Sequence, residues 1–272
     1  MGNFQKAWAF TAGWEGGFDG NPKAKVQPLT DNVAVYGITP KFLKDYIGWT
    51  DKNATDTAKL KAITYEDAAK IWENSRWTWF KCNQIQSDAL ATLVFDMAVR
   101  RANEAAHTLA QAVGMTIKEG TQGVKFRTVG GNPTKPDDGM VIPNQTCIDK
   151  LNALCLNDKN EMDNDAILAI YQKIIQGYIR KAKPTETGVI RRLGCLLFVK
   201  TLDENRLHRD NFPSLPKAER DNIEQKVIAI RDGKTKSKLT ADKPTNTEGS
   251  QWTTIMLTLV GGYVGGKIFK WW

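Results

Sequence analysis

The chain has 272 residues, 41% hydrophobic and 25% charged, and a formal charge of +8 at neutral pH. Such a length and balance support one good core, with or without a small extension, and exclude a disordered chain. The charge calls for an anionic partner, yet the basic residues are scattered singly or in pairs such as Arg100-Arg101 and Arg191-Arg192, without zinc-finger spacing, an RNA-binding aromatic motif or a dense Lys/Arg run. No nucleic acid is expected; an acidic membrane surface or an acidic polymer remains.

The first helix is readable from Phe4, Ala7, Trp8, Thr11 and Glu15, which recur at three- and four-residue steps and so share one face. Gly16 and Gly17 end it. Glu15 therefore lies on the apolar face, near the negative end of the helix dipole, and both the burial and the dipole disfavour its ionisation. A carboxyl group in that position is suited to give a proton to a leaving oxygen. From Pro22 to Thr39 the chain reads as irregular or hairpin, with Val33 to Ile38 rich enough in β-branched and aromatic residues for a short strand pair.

Helical signals dominate from there to about residue 231. Thr64-x-x-Asp67 is a capping-box-like start for a helix that carries Ala68, Ala69 and Trp72 on one face. Trp77, Trp79 and Phe80 come after it, aromatics that could stack on a flat ligand face or pack a core. Ser87 or Asp88 caps the next helix, whose Leu90, Leu93, Val94, Met97 and Ala98 make it the central one. Asp96 interrupts that apolar run, and a buried carboxylate must be paired, so its expected role is to hold a backbone group or an arginine. Gly114 ends the following helix, and further helices are expected near 146–156, 165–182, 188–202 and 217–231.

Cys82, Cys147, Cys155 and Cys195 show no metal spacing and read as reduced core thiols. His107 and His208, the two histidines, sit in unrelated contexts, which leaves a Ser/His/Asp or Cys/His mechanism little support. From Asp232 to Gln251 the composition turns to Lys, Thr, Asp, Asn and Ser, as in a tether. Beyond it, Trp252 to Trp272 is an apolar run with tryptophans at both ends, Lys267 and Lys270 near one end, and two overlapping Gly-x-x-x-Gly pairs, Gly261/Gly265 and Gly262/Gly266. As a helix it spans about 30 Å, a hydrocarbon thickness, and is expected to anchor in a membrane with a face for helix self-association. Met1 to Ala12 lacks a basic region followed by an apolar run, so no conventional secretion signal is expected.

Trp14-Glu15-Gly16-Gly17-Phe18 followed by Tyr36-Gly37-Ile38-Thr39 resembles the signature of glycoside hydrolase family 108, phage-type N-acetylmuramidases of lysozyme-like fold. Phe95 to Val99, continued through Ala105 to Gly114, is similar to that family's central helix pair. Asp138-Gly139 with Pro143, Thr146 and Leu151 resembles its C-terminal helix start, and Gly188-Val189-Ile190-Arg191-Arg192-Leu193 its closing Gly-Trp-x-x-Arg helix. The motifs run in order over roughly residues 4 to 200. Departures are the segment Leu29 to Val35, which is longer than the family's Asp-x-Gly-Gly-x-Thr and lacks its glycines, Val99-Arg100-Arg101-Ala102 in place of Val-Asn-x-Gly, and Val189 in place of Trp.

The resemblance implies a mainly α, lysozyme-like helical domain with a small β-hairpin lobe, to which the apolar C-terminal helix is added. It implies cleavage of the peptidoglycan bond between N-acetylmuramic acid and N-acetylglucosamine, with Glu15 as catalytic acid and no metal or organic cofactor. Asp31 is the best candidate for the second carboxylate, Asp19 a poorer one, and Thr30 could position a water instead. Tyr36 and Thr39, with Trp77 and Trp79, are the candidate substrate contacts. The expected division is a hydrolase domain over 1–202, a helical extension over 203–233, a polar linker over 234–250 and a membrane anchor over 251–272. Partners would be wall glycan, the membrane, and another copy or virion proteins through the glycine face. The place of action would be periplasmic peptidoglycan, reached from the host membrane or the virion by lysis, a holin or particle delivery. Two rivals stand beside this: a lytic transglycosylase working with Glu15 alone, and a non-catalytic virion or membrane protein that binds wall glycan.

Overall fold

The computed structural model describes residues 2–16, 18–19, 33–124, 140–179, 187–198 and 215–232. Asp31, Thr30, Asp138-Gly139, His208, the linker and the terminal apolar run lie outside the described residues. Among those described, no helix is long and apolar enough to cross a membrane.

The fold is mainly helical. Helix α1 (Phe4–Glu15) starts where the side chain of Asn3 accepts a hydrogen bond from the Lys6 amide and ends at Gly16, whose N–H donates to the carbonyl of Ala12. Strand β1 (Phe18–Asp19) pairs antiparallel with β2 (Ala34–Val35), with Phe18 opposite Val35 and Asp19 opposite Ala34. The expected strand segment Val33–Ile38 therefore contributes only two residues to the pair, because the chain turns back at once through Tyr36 and Gly37. Helices α2 (Pro40–Ile47), α3 (Asp51–Ala54) and α4 (Thr57–Lys61) come next. The Thr64–Asp67 capping box is present and starts α5 (Tyr65–Trp72), which widens into one π-helical turn at Glu73–Trp77.

The centre is α6 (Asp88–Ala112), capped by Ser87 and broken at Arg101, where φ is −148° and ψ 78°. That break divides the expected helix pair. Leu90, Leu93, Val94, Phe95, Met97 and Ala98 are fully buried along its first part. Helix α1 packs on it from one side, and α9 (Asn164–Ile179) from another. Phe4 of α1 and Phe95 of α6 meet the Trp77 ring edge-on at 5.5 and 5.6 Å, contacts worth about 0.5–1.5 kcal/mol each beyond the area they bury. Between these helices lie α7 (Ile117–Gly120), a second antiparallel ribbon of β3 (Thr121–Gly123) and β4 (Val141–Pro143), and α8 (Gln145–Leu154). The ribbon has no counterpart among the elements expected from the sequence, since three-residue strands carry almost no alternation to detect.

Helices α10 (Thr187–Phe198) and α11 (Lys217–Arg231) close the C-terminal side and pack on each other and on α9. Gly194 makes this possible, because a Cβ there would overlap the Ile223 side chain. Ile223 and Val227 are fully buried. The division expected after residue 202 thus does not coincide with a boundary in packing, because α11 belongs to the same core. All four cysteines are buried free thiols, and burial pushes Cys147 and Cys155 up to about 11.

Candidate active site

Glu15 is the last residue of α1, and its side chain is 17% exposed. Facing it is the turn after β2. The Val35 amide donates to the Ile38 carbonyl at 3.1 Å and the Ile38 amide to the Val35 carbonyl at 2.8 Å, closing a two-residue hairpin turn around Tyr36 and Gly37. Both turn residues have positive φ, 48° and 74°, as a type I′ turn requires. The Trp72 indole donates to the Tyr36 carbonyl at 2.9 Å and pins the turn from the α5 side. Gly37 is then needed twice, for its φ and for space: a Cβ there would stand 2.7 Å from Glu15 Oε2.

This gives a first prediction. Gly37→Ala should cost about 1–2 kcal/mol through the left-handed backbone, and it should lower activity by more than that stability loss explains, because the methyl group displaces the Glu15 carboxylate. Denaturant unfolding measured beside the cleavage rate checks both parts. Equal activity per folded molecule would mean that Glu15 is not held by this turn.

Beneath Glu15 lies a buried charge cluster drawn from three helices. Arg192 of α10 is 4% exposed and Asp96 of α6 is 1% exposed. The Arg192 Nε donates to both Asp96 oxygens at 3.0 and 2.8 Å, and Nη2 donates to Oδ1 at 2.5 Å. Its remaining nitrogen, Nη1, donates to Glu15 Oε1. From α1, Thr11 Oγ1 donates to Asp96 Oδ1 at 2.9 Å. Burial alone would lower the Arg192 pKa; the charges of Asp96 and Glu15 outweigh it, so the guanidinium is held above its ordinary value and stays a cation. The phenols of Tyr171 and Tyr178 on α9 are raised too, by burial first, and for Tyr171 also by the Asp96 charge.

The cluster adds one feature to the sequence-based expectation. The structure sets a cation against the Glu15 carboxylate, supplied from 177 residues away. Asp96 does hold an arginine, as expected of a buried carboxylate. Arg192 was missed, although a signal for it exists: with Val189, Leu193 and Leu196 it lies on the buried stripe of α10, and a charge on an apolar stripe requires a buried counter-ion.

The remaining candidates divide. Trp77 is 4% exposed, its ring enclosed by Phe4 and Phe95, so it packs the core and offers no face to a sugar. Trp79 is half-buried among Phe42, Tyr46 and the Arg76 guanidinium, which stands 5.4 Å from its ring. The Thr39 hydroxyl accepts from the Phe42 amide and caps α2. Tyr36 stays beside the site; its ring meets Trp8 at 6.2 Å and Tyr65 at 6.0 Å, and Tyr65 is 39% exposed. Trp8 is two helical turns, about 10 Å, back from Glu15 on the same face of α1. Tyr65 was not a candidate from the sequence. Asp31 and Thr30, the candidates for the second group, are outside the described residues.

Residues 8–101 match the family model described as Glycosyl hydrolase 108. No curated protein matches the chain. Among solved structures it is similar to one titled "Structure of Brucella abortus SagA", with 16% identity over 84% of this chain and 95% of that one and a TM-score of 0.42. The family match takes in Glu15, the Tyr36-Gly37 turn and Asp96, and stops short of Arg192. Residues 8–101 are thus similar to glycosyl hydrolase 108 proteins, and that match supports glycoside hydrolase activity.

Proposed function

We propose that the protein is a peptidoglycan hydrolase, an N-acetylmuramidase that cleaves between N-acetylmuramic acid and N-acetylglucosamine. The observation that carries this is the placement of Glu15, half-buried at the end of α1 under the Gly37 turn and bonded to Arg192, within a glycosyl hydrolase 108 segment. Glu15 protonates the glycosidic oxygen as its bond to the anomeric carbon breaks. Asp31, or a water positioned by Thr30, completes hydrolysis on the opposite face of the sugar; this role rests on the sequence alone. Tyr36 and the exposed Tyr65 extend the site along α1, and the face of an aromatic ring is suited to stack on a sugar.

Phage origin and action at the periplasmic wall from a host membrane or a virion are part of the same proposal. They rest on the family resemblance and on the composition of residues 251–272. The test is digestion of purified peptidoglycan with mass spectrometry of the products. Reducing N-acetylmuramic acid ends support the hydrolase, anhydro ends would replace it with the transglycosylase reaction, and an uncleaved wall would leave a glycan-binding protein.

A further inference from the structure

We propose that Asp96 is a positioning residue whose charge lets Glu15 carry a proton beside an arginine, while Arg192 receives the charge that Glu15 leaves behind. This rests on the reading of Glu15 as general acid. The division of the guanidinium carries it: Nε and Nη2 go to Asp96, and one nitrogen, Nη1, goes to Glu15. Two carboxylates share one cation.

If Glu15 were the sole counter-ion, protonating it would leave a guanidinium alone in the interior, a strongly unfavourable state. With Asp96 in place, a protonated Glu15 sits beside an ion pair that is already neutral. In the bond-breaking step the glycosidic C–O electron pair stays on the leaving oxygen, which takes the Glu15 proton. Water supplies a hydroxyl to the anomeric carbon, and its other proton restores the acid through the second group or the solvent. As the proton leaves, the forming carboxylate meets an N–H already aimed at it, so the charge is stabilised without reorganisation. Thr11 keeps Asp96 in register from the same helix that ends in Glu15.

Helix α1 brings Thr11, the turn brings Gly37, which has no side chain to titrate, and α6 brings Asp96, with Arg100 and Arg101 at its break acting on Tyr178. Helix α9 brings Tyr171 and Tyr178, whose raised phenols stay protonated, and across α10 and α11 Arg191 is paired with Glu224. Asp96 stays paired with Arg192, and Glu15 is the group of the cluster that gives up and regains a proton in the proposed cycle.

The experiment is the pH dependence of kcat and KM for the full chain on soluble glycan fragments. Asp96→Asn should move the alkaline limb of kcat to lower pH by about one unit or more, with kcat at neutral pH falling on the order of tenfold and KM held within about two-fold. The double variant Asp96→Asn/Arg192→Gln should move that limb the other way, above the wild type. Because it removes both charges and leaves no buried ion alone, it also gives a reading if the single variant does not fold. A merely structural Asp96 would lower stability and leave both limbs where they are, and a folded variant with the wild-type limb overturns the proposal. Glu15→Gln is the separate control: if it stays active, the acid assignment fails, whatever Asp96 does.

Discussion

Glu15→Gln is expected to abolish wall cleavage while the protein stays folded. The amide is nearly isosteric, and its oxygen can still accept from Arg192 Nη1, so the helix end, the Gly37 turn and the core should persist. What disappears is the proton. General acid–base catalysis contributes about 10²- to 10⁴-fold, so the rate should fall by at least two orders of magnitude with little change in glycan binding. Cleavage rates on purified peptidoglycan, taken beside circular dichroism and a melting curve, check both parts. An active, folded variant would remove Glu15 from the mechanism.

The largest effect on stability is expected at Arg192. Truncating it to Ala leaves Asp96 in the core with Thr11 as its remaining partner, and breaking a buried pair from one side costs about 3–5 kcal/mol. That is a large share of the 5–15 kcal/mol typical of a whole domain, so Arg192→Ala should melt far below the wild type. The contrast is the exposed pair Lys217–Asp221 on α11, with side chains 80% and 55% exposed, where Lys217→Ala should change stability by less than about 1 kcal/mol. Denaturant titration of both variants measures the difference. Similar losses at the two sites would mean that the Arg192 cluster is far more hydrated than its burial implies.

Much of the helical frame was legible because its signals are local. The apolar spacing of Phe4, Ala7, Trp8 and Thr11, the Thr64–Asp67 box and the Ser87 cap each involve residues within a turn or two of one another. The site was legible only in halves. Glu15 and the Tyr36-Gly37 turn stand out through residue types, yet the reason for Gly37 is the approach of Glu15 from another element, which spacing does not reveal. The pairing of Asp96 with Arg192 is a property of two helices meeting in space. Each residue announces that it needs a partner without naming it. Trp77 shows the reverse case: three aromatics in four residues suggest a ligand platform, and packing against Phe4 and Phe95 decides otherwise.

The close seat of Ile223 against Gly194 has a practical meaning for anyone shortening this protein. Cutting the chain where the family resemblance ends, near residue 200, would look like trimming an appendage. It would instead strip the outer layer from the helix that carries Arg192, and the damage would surface at the far end of that side chain, on the Glu15 carboxyl group proposed as the acid.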